Sequence, residues 1–419
     1  MTTIALAVLL ALQEPAPPRP AEKAPEKPRS SADGLPVSVS WREGLRFKTD
    51  DGTFQATLGG RVLAHYRTLF DRPDAARANP DTLYLRQARV DLQGKLFQEF
   101  DFRLYLDFPT GTASATTGTL QDGYLGWSRW PELTLKIGQF KEPFSQEQTT
   151  TLRATDFVER SVLDRLAPGR DLGFLFAGKA ASGLFEYEAG AFDGAGRAVV
   201  DNNDEKDLAA RLRISPLEGL RLGVAGTVGD VDGASAATAL DLTTTELQIQ
   251  FLDATAGTVD GLRTRIGLEL TWLWESFGLR AEWARRTDTV TQGTLDEDDV
   301  HLKAWNVSIT WLLTGEQKML EGRIVPRNPF NPSAGTWGAF ELAFRAARLE
   351  IDDEIFDAGV APSAGNADRV TTFTAGVNWY LNPHVRITPN AVVEKFSDEL
   401  TAGGDDRYVG ALVRFQIDF

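Results

Sequence analysis

Arginines recur at alternate positions along this chain, most of them with an apolar residue on each side: Arg61, Arg89, Arg103, Arg211, Arg213, Arg221, Arg265 and Arg280. A row of guanidinium groups on one surface has a definite chemistry. Each planar fork pairs with the oxygens of an oxyanion and keeps its charge at any physiological pH. In a water-filled passage, fixed positive charges compensate an anion for lost hydration through successive weak contacts. Acidic residues occupy equivalent positions, among them Asp91, Asp101, Asp107, Glu269, Glu282, Glu341 and Asp418. The pattern therefore reads either as an anion-binding ladder or as the ion pairs of a mixed polar wall.

Only a strand turns every second residue to the same side. The stretch 99–108 is the clearest case: Phe100, Phe102, Leu104, Leu106 and Phe108 alternate with Glu99, Asp101, Arg103 and Asp107. The same rule runs from Phe54 through Leu92, Ile137, Leu212, Leu268, Val307, Phe344 and Val377 to the terminal Phe419. About seventeen segments fit the alternation. Short breaks such as Asn382-Pro383 alternate with long acidic ones such as 201–207 and 352–354, and Trp127, Trp130, Trp272, Trp274, Trp379 and Tyr380 lie near strand ends. Two kinds of rim, interfacial aromatics and one-sidedly apolar strands predict an all-β fold, a transmembrane antiparallel β-barrel of sixteen strands, eighteen being the next even number.

Composition excludes much else. The 44 basic and 59 acidic residues give a net charge of −15, which argues against nucleic acid as a partner. Cysteine is absent, and His65, His301 and His384 show no ligand spacing, so neither a metal nor a cofactor is expected. No nucleophile elbow and no phosphate-cradling glycine loop is present, so no enzyme is expected. Ile4 to Leu12 is a compact apolar run followed by the Pro-rich stretch 13–28. It predicts a signal peptide over 1–13 without the usual leading cation, a linker over 14–40 and a barrel over 41–419.

Several motifs then form an ordered set. Ile137-Gly-Gln-Phe-Lys-Glu-Pro-Phe144, Asp156-Phe-Val-Glu-Arg-Ser161, Pro168-Gly-Arg-Asp-Leu-Gly173, Trp311-Leu-Leu-Thr-Gly-Glu316, Val377-Asn-Trp-Tyr-Leu-Asn-Pro383 and Arg414-Phe-Gln-Ile-Asp-Phe419 follow one another. Together they resemble the phosphate-selective porin family, the O and P type outer-membrane porins. The resemblance implies a homotrimer in outer-membrane lipid, with a loop folded into each lumen as a constriction and small anions such as phosphate or polyphosphate as cargo. It implies that this loop spans roughly 141–170, that Arg153 matches the family's basic constriction residue, and that Lys141 and Arg160 accompany it. It places Arg211, Arg213 and Arg221 on the stretch resembling the family's arginine ladder. The acidic balance leaves open a general or cation-preferring porin, and a non-conducting surface barrel is the reading from another class.

Overall fold

The computed structural model describes residues 36–419 apart from 42, 71–80, 109–118, 198, 200–203, 292–297, 321–322 and 401–404. The chain falls into two units, Met1–Val37, nearly all of it outside the described residues, and Ser38–Phe419. The expected leader over 1–13 and most of the linker over 14–40 thus lie outside what is described.

The second unit is a closed antiparallel wall of sixteen strands. They are β1 (Phe54–Leu69), β2 (Thr82–Leu96), β3 (Phe100–Asp107), β4 (Thr119–Trp130), β5 (Leu133–Lys141), β6 (Arg170–Ala180), β7 (Phe185–Phe192) and β8 (Asp207–Leu217). After these come β9 (Leu220–Ser235), β10 (Thr258–Trp274), β11 (Phe277–Thr291), β12 (Asp298–Leu312), β13 (Ala339–Ile351), β14 (Arg369–Asn382), β15 (Val385–Phe396) and β16 (Arg407–Asp418). Each pairs with its sequence neighbour, and β16 closes on β1 from Gly410↔Leu69 to Asp418↔Arg61. Closure satisfies the backbone groups that an open edge would leave bare in lipid. Two further strands account for the larger of the expected counts: Leu45–Thr49 adds to β1 just below the end of β16, and Ser38 Oγ of Val37–Trp41 donates to Lys48 O at 3.1 Å.

Alternation decides which face meets what. Leu83, Leu125, Phe174, Ile309, Phe344 and Phe373 point outward and are exposed, far more apolar surface than a water-soluble wall carries. At the rim of short turns the outward aromatics stack: Phe277 lies 5.5 Å from Trp311, and Phe340 lies 5.8 Å from Trp379. Tyr380, read from sequence as part of this belt, instead points inward, where its hydroxyl donates to Glu341 Oε2 at 2.7 Å. Its position one residue after Trp379 requires that, since neighbours on a strand face opposite ways.

The interior is divided in two. Val158, Leu163 and Leu166 of the segment 142–169 pack with Leu247, Ile249 and Phe251 of the segment 236–257, and with Ile355 and Val360 of the segment 352–368. These side chains bury against Leu302, Leu349, Val392 and Leu412 of the wall, forming one continuous apolar cluster. Long loops have thus built a core inside the barrel, at about 1.5–3 kcal/mol of burial per large side chain. It fills the side of β9 to β16.

Candidate functional site

The segment between β5 and β6 runs inside the barrel, and the wall on the filled side holds it by its backbone. Arg386 donates to Thr155 O (3.1 Å) and Arg153 O (3.0 Å), Arg414 to Leu152 O (2.8 Å), Arg286 to Arg165 O (3.4 Å) and Arg265 to Leu166 O (3.0 Å). Arg345 pairs with Glu147 at 2.8 Å. Carbonyls that an irregular segment cannot pair with itself are satisfied in this way.

Two carboxylates of this segment are clamped from both sides. Asp156 is paired with Arg280 and, at 2.6 Å, with Lys318, which comes from the segment 313–338 on the otherwise short-turned rim. Burial pushes its pKa up, yet Arg280 and Lys318 outweigh that and hold it at about 2. Glu159 receives Arg86 at 2.8 Å and His65 at 3.1 Å. Against the upward effect of burial, these partners lower its pKa well below the ordinary value. Among the described residues no cation pairs with Glu142, where the segment begins, and burial raises it to about 8.

The opposite side, from β1 to β6, stays open as a string of voids. Near the long-loop rim, one of about 360 Å³ is lined by Arg67, Arg86, Arg160 and Arg165 together with Glu159 and Asp164. It shares Arg86 and Arg160 with a central void of about 370 Å³. That void in turn shares Arg61 and Tyr105 with one of about 70 Å³ at the short-turn rim, which also holds Arg153, Arg323 and Asp418. The same three residues line a last void of about 60 Å³. The path narrows toward the short turns.

Charge in the central void is one-sided. Arg61, Arg86, Arg89, Arg103, Lys136, Lys141, Arg160, Arg170 and Arg197 line it, and Asp122 is the one carboxylate lining it among the described residues. Neighbouring acids neutralise part of this: Arg89 pairs with Asp107 at 2.8 Å, Arg103 with Asp91 at 2.6 Å, and Arg170 with Asp122 at 2.6 Å. Tyr105 gathers three cations, the guanidinium carbons of Arg61, Arg89 and Arg103 lying 5.2, 5.2 and 4.6 Å from its ring centre. Lys136 sits 4.6 Å from the Tyr124 ring. Among the described residues, Arg61, Lys136 and Lys141 have no carboxylate within ion-pair distance.

A sixteen-strand wall, an inserted β5–β6 segment and a cationic lumen are the parts of a porin, and a family model for phosphate-selective porin O and P matches residues 57–419. The chain belongs to that family. Porin O of Pseudomonas aeruginosa is 25% identical over 93% of this chain and 94% of its own length. Two solved structures share the fold. The outer membrane channel DcaP of Acinetobacter baumannii superposes with a TM-score of 0.58 at 12% identity, over 89% of this chain and 99% of that one. The anion-selective porin from Comamonas acidovorans does so with 0.55 at 13%, over 87% and 100%. The protein is an outer-membrane porin, a channel.

Of the residues singled out from sequence, this porin brings Arg61, Arg89, Arg103, Lys141 and Arg160 together around its central void. Arg160 also braces the segment, donating to Glu147 O (2.9 Å) and Thr150 O (3.0 Å). Arg153 lies further on, at the two narrow voids, 2.9 Å from Asp418. Arg211, Arg213 and Arg221 do not join them. Arg211 pairs with Glu269 at 2.6 Å, Arg213 with Glu186 at 3.1 Å and Glu188 at 3.4 Å, and Arg221 lies 3.8 Å from Glu186. Arg265 and Arg280 hold the inserted segment.

Sequence reasoning passed over Arg86, Lys136, Arg170 and Arg323. Arg86 sits at an even position two residues before outward Ala88, so strict alternation sends it to lipid. The β1–β2 register skips it, from Leu63↔Gln87 to Ala64↔Leu85, and this bulge turns both Arg86 and Gln87 inward. Two polar residues in succession within an alternating strand were the available signal. Lys136 stood on the polar face of β5 all along, between Leu135 and Ile137.

Proposed function

We propose that this porin conducts small anions, phosphate and polyphosphate first among them, along the open side of its lumen. The observation that carries the reading is the excess of cations around the central void, with Arg61, Lys136 and Lys141 uncompensated. An anion leaving the outer void sheds water and meets Arg86 and Arg160, then Lys136, Lys141 and Arg103, then Arg61, and leaves past Arg153 and Arg323. Each contact is partial because most of these cations also serve a protein acceptor. Release therefore stays fast enough for flux. The net charge of −15 resides largely elsewhere, in the long acidic loops.

The working form we infer is a homotrimer exported by a leader over 1–13. Strands β3, β5 and β7 have 8, 9 and 8 residues, at or below the roughly 9–11 that cross a bilayer. A neighbouring copy covering this low arc of wall would relieve the mismatch. A solved trimer of OmpT from Vibrio cholerae, similar in fold with a TM-score of 0.54, supports the same arrangement.

Reversal potentials across planar bilayers test the conductive reading. Under a potassium chloride gradient the expected sign is that of anion preference, with chloride current blocked by added phosphate. Cation preference, or no conductance, would overturn it.

A further inference from the structure

At the long-loop rim of β11 to β16, each strand carries one cation: Arg285, Lys303, Arg348, Arg369, Lys395 and Arg407. Leu302, Leu349, Val370 and Tyr408, next to four of them in the chain, are buried in the inner core, so alternation turns the cations outward. They lie just beyond the apolar band. Arg285 follows Trp283 by two residues, Lys303 precedes Trp305 by two, and the two tryptophans face each other in register. At that height the wall passes from acyl chains into headgroups, and long loops mark the outer leaflet. From β1 to β8 the outward residues nearest the same rim are instead apolar and exposed: Leu83, Leu106, Leu120, Leu172 and Leu208. The cations are thus kept away from the arc of short strands that a neighbouring copy would cover.

The register of this belt sets like charges against each other. Arg285 is directly opposite Lys303, and Lys395 directly opposite Arg407. Opposed like charges destabilise a sheet, and an anion seated between them removes that cost. Acids satisfy only part of the belt: Lys303 pairs with Asp352 at 3.3 Å and Arg348 with Glu350 at 3.2 Å. Among the described residues no carboxylate lies within ion-pair distance of Arg285, Arg369, Lys395 or Arg407. The two opposed pairs are separated by three strand spacings, ~14 Å, with Arg369 between them.

We propose that this belt is a docking surface for an outer-leaflet lipid whose headgroup carries two phosphoryl groups. One phosphoryl sits between Lys395 and Arg407 and the other between Arg285 and Lys303, while the acyl chains lie on the apolar band below. The belt uses no cation of the lumen, so it stands or falls separately from the anion-conducting reading.

The test titrates diphosphoryl and monophosphoryl lipid A into the purified porin in uncharged detergent and counts bound lipid by native mass spectrometry. The diphosphoryl form is expected to bind at least about fivefold more tightly, and neutralising either pair, as Lys395→Gln with Arg407→Gln or Arg285→Gln with Lys303→Gln, to bring that ratio close to one. Arg129→Gln, at the opposite rim, is expected to change binding less than about twofold. Equal binding of the two lipids overturns the proposal, as does a ratio that survives neutralisation of both pairs or an equal loss in Arg129→Gln. Displacement of the lipid by millimolar inorganic phosphate would assign the belt to free anions and overturn it too. Should one pair's variant fail to assemble, the other pair's decides.

Discussion

Arg86 and Glu159 meet across the mouth of the central void, Nε donating to Oε1 at 2.8 Å, one residue from the wall and the other from the inserted segment. The pair joins the open side of the lumen to the plug and cancels most of the charge Arg86 would show an anion. Among the described residues, Arg61 has no such carboxylate. Its Nη1 donates to Thr151 Oγ1 and its guanidinium carbon lies 5.2 Å from the Tyr105 ring centre, beside the point where the voids narrow.

Neutralising Arg61 is therefore expected to matter more than neutralising an arginine of the paired network. Arg61→Gln should raise the half-blocking phosphate concentration about tenfold, the ~1.4 kcal/mol that one charge a few ångströms away supplies in a wet lumen. Arg213→Gln, which leaves Glu186 and Glu188 with other cations nearby, should change it less than about twofold. Block titrations on both variants check the contrast; equal effects would place the binding cations elsewhere.

Arg153, in contrast, stands at the narrow end with Asp418 as its partner. Arg153→Glu should shift the reversal potential toward cations and weaken phosphate block, since it reverses a charge lining both small voids. An unchanged reversal potential would remove it from the path.

Lys318 is 6% exposed and serves two carboxylates, Asp156 at 2.6 Å and Glu341. Lys318→Met leaves buried acids short of a cation, an arrangement that costs about 3–5 kcal/mol. The folded form should lose its heat resistance in detergent gels at a lower temperature, and the single-channel current should become noisier as the inserted segment loosens.

The pH dependence of stability follows from Glu142. Unfolded, it loses its proton near the ordinary carboxyl value of 4.5; folded, it keeps the proton up to about 8. Between those values the folded state binds more protons, so stability contributed by this group is complete at low pH and declines as pH rises through the window. Glu142→Gln should flatten that decline, raising thermal stability at pH 9 and leaving it nearly unchanged at pH 4, as measured by the temperature of the gel mobility change.

The seam where the barrel closes offers a backbone test. A Cβ on Gly59 would come within 2.7 Å of Phe419 O, and the Phe419 backbone pairs with Gly60 in both directions, at 2.9 and 2.7 Å. Gly59→Ala is expected to push the C-terminal residue off β1 and reduce the yield of assembled barrel in outer-membrane fractions. A normal yield would show that the seam can shift.

Much of this protein was legible in its residues taken in order. Alternation has a period of two that no other regular structure shares, so Phe100 to Phe108 could face one way only, and repetition of that pattern up to Phe419 fixed a lipid-facing barrel. Alternation also put Arg61, Arg89 and Arg103 on the inner face. It could not say how the inner face is used, because that depends on residues far apart in sequence. Arg211 and Arg61 look alike on paper, yet Glu269 arrives beside one, and Thr151 and the Tyr105 ring beside the other. Loops 142–169, 236–257 and 352–368 carry apolar side chains whose common destination appears only once they meet inside the wall. By filling one half of the lumen they leave the other half as the passage. Local pattern determined the wall and its two faces; long-range packing and charge pairing decided which of its cations remain free to meet an anion.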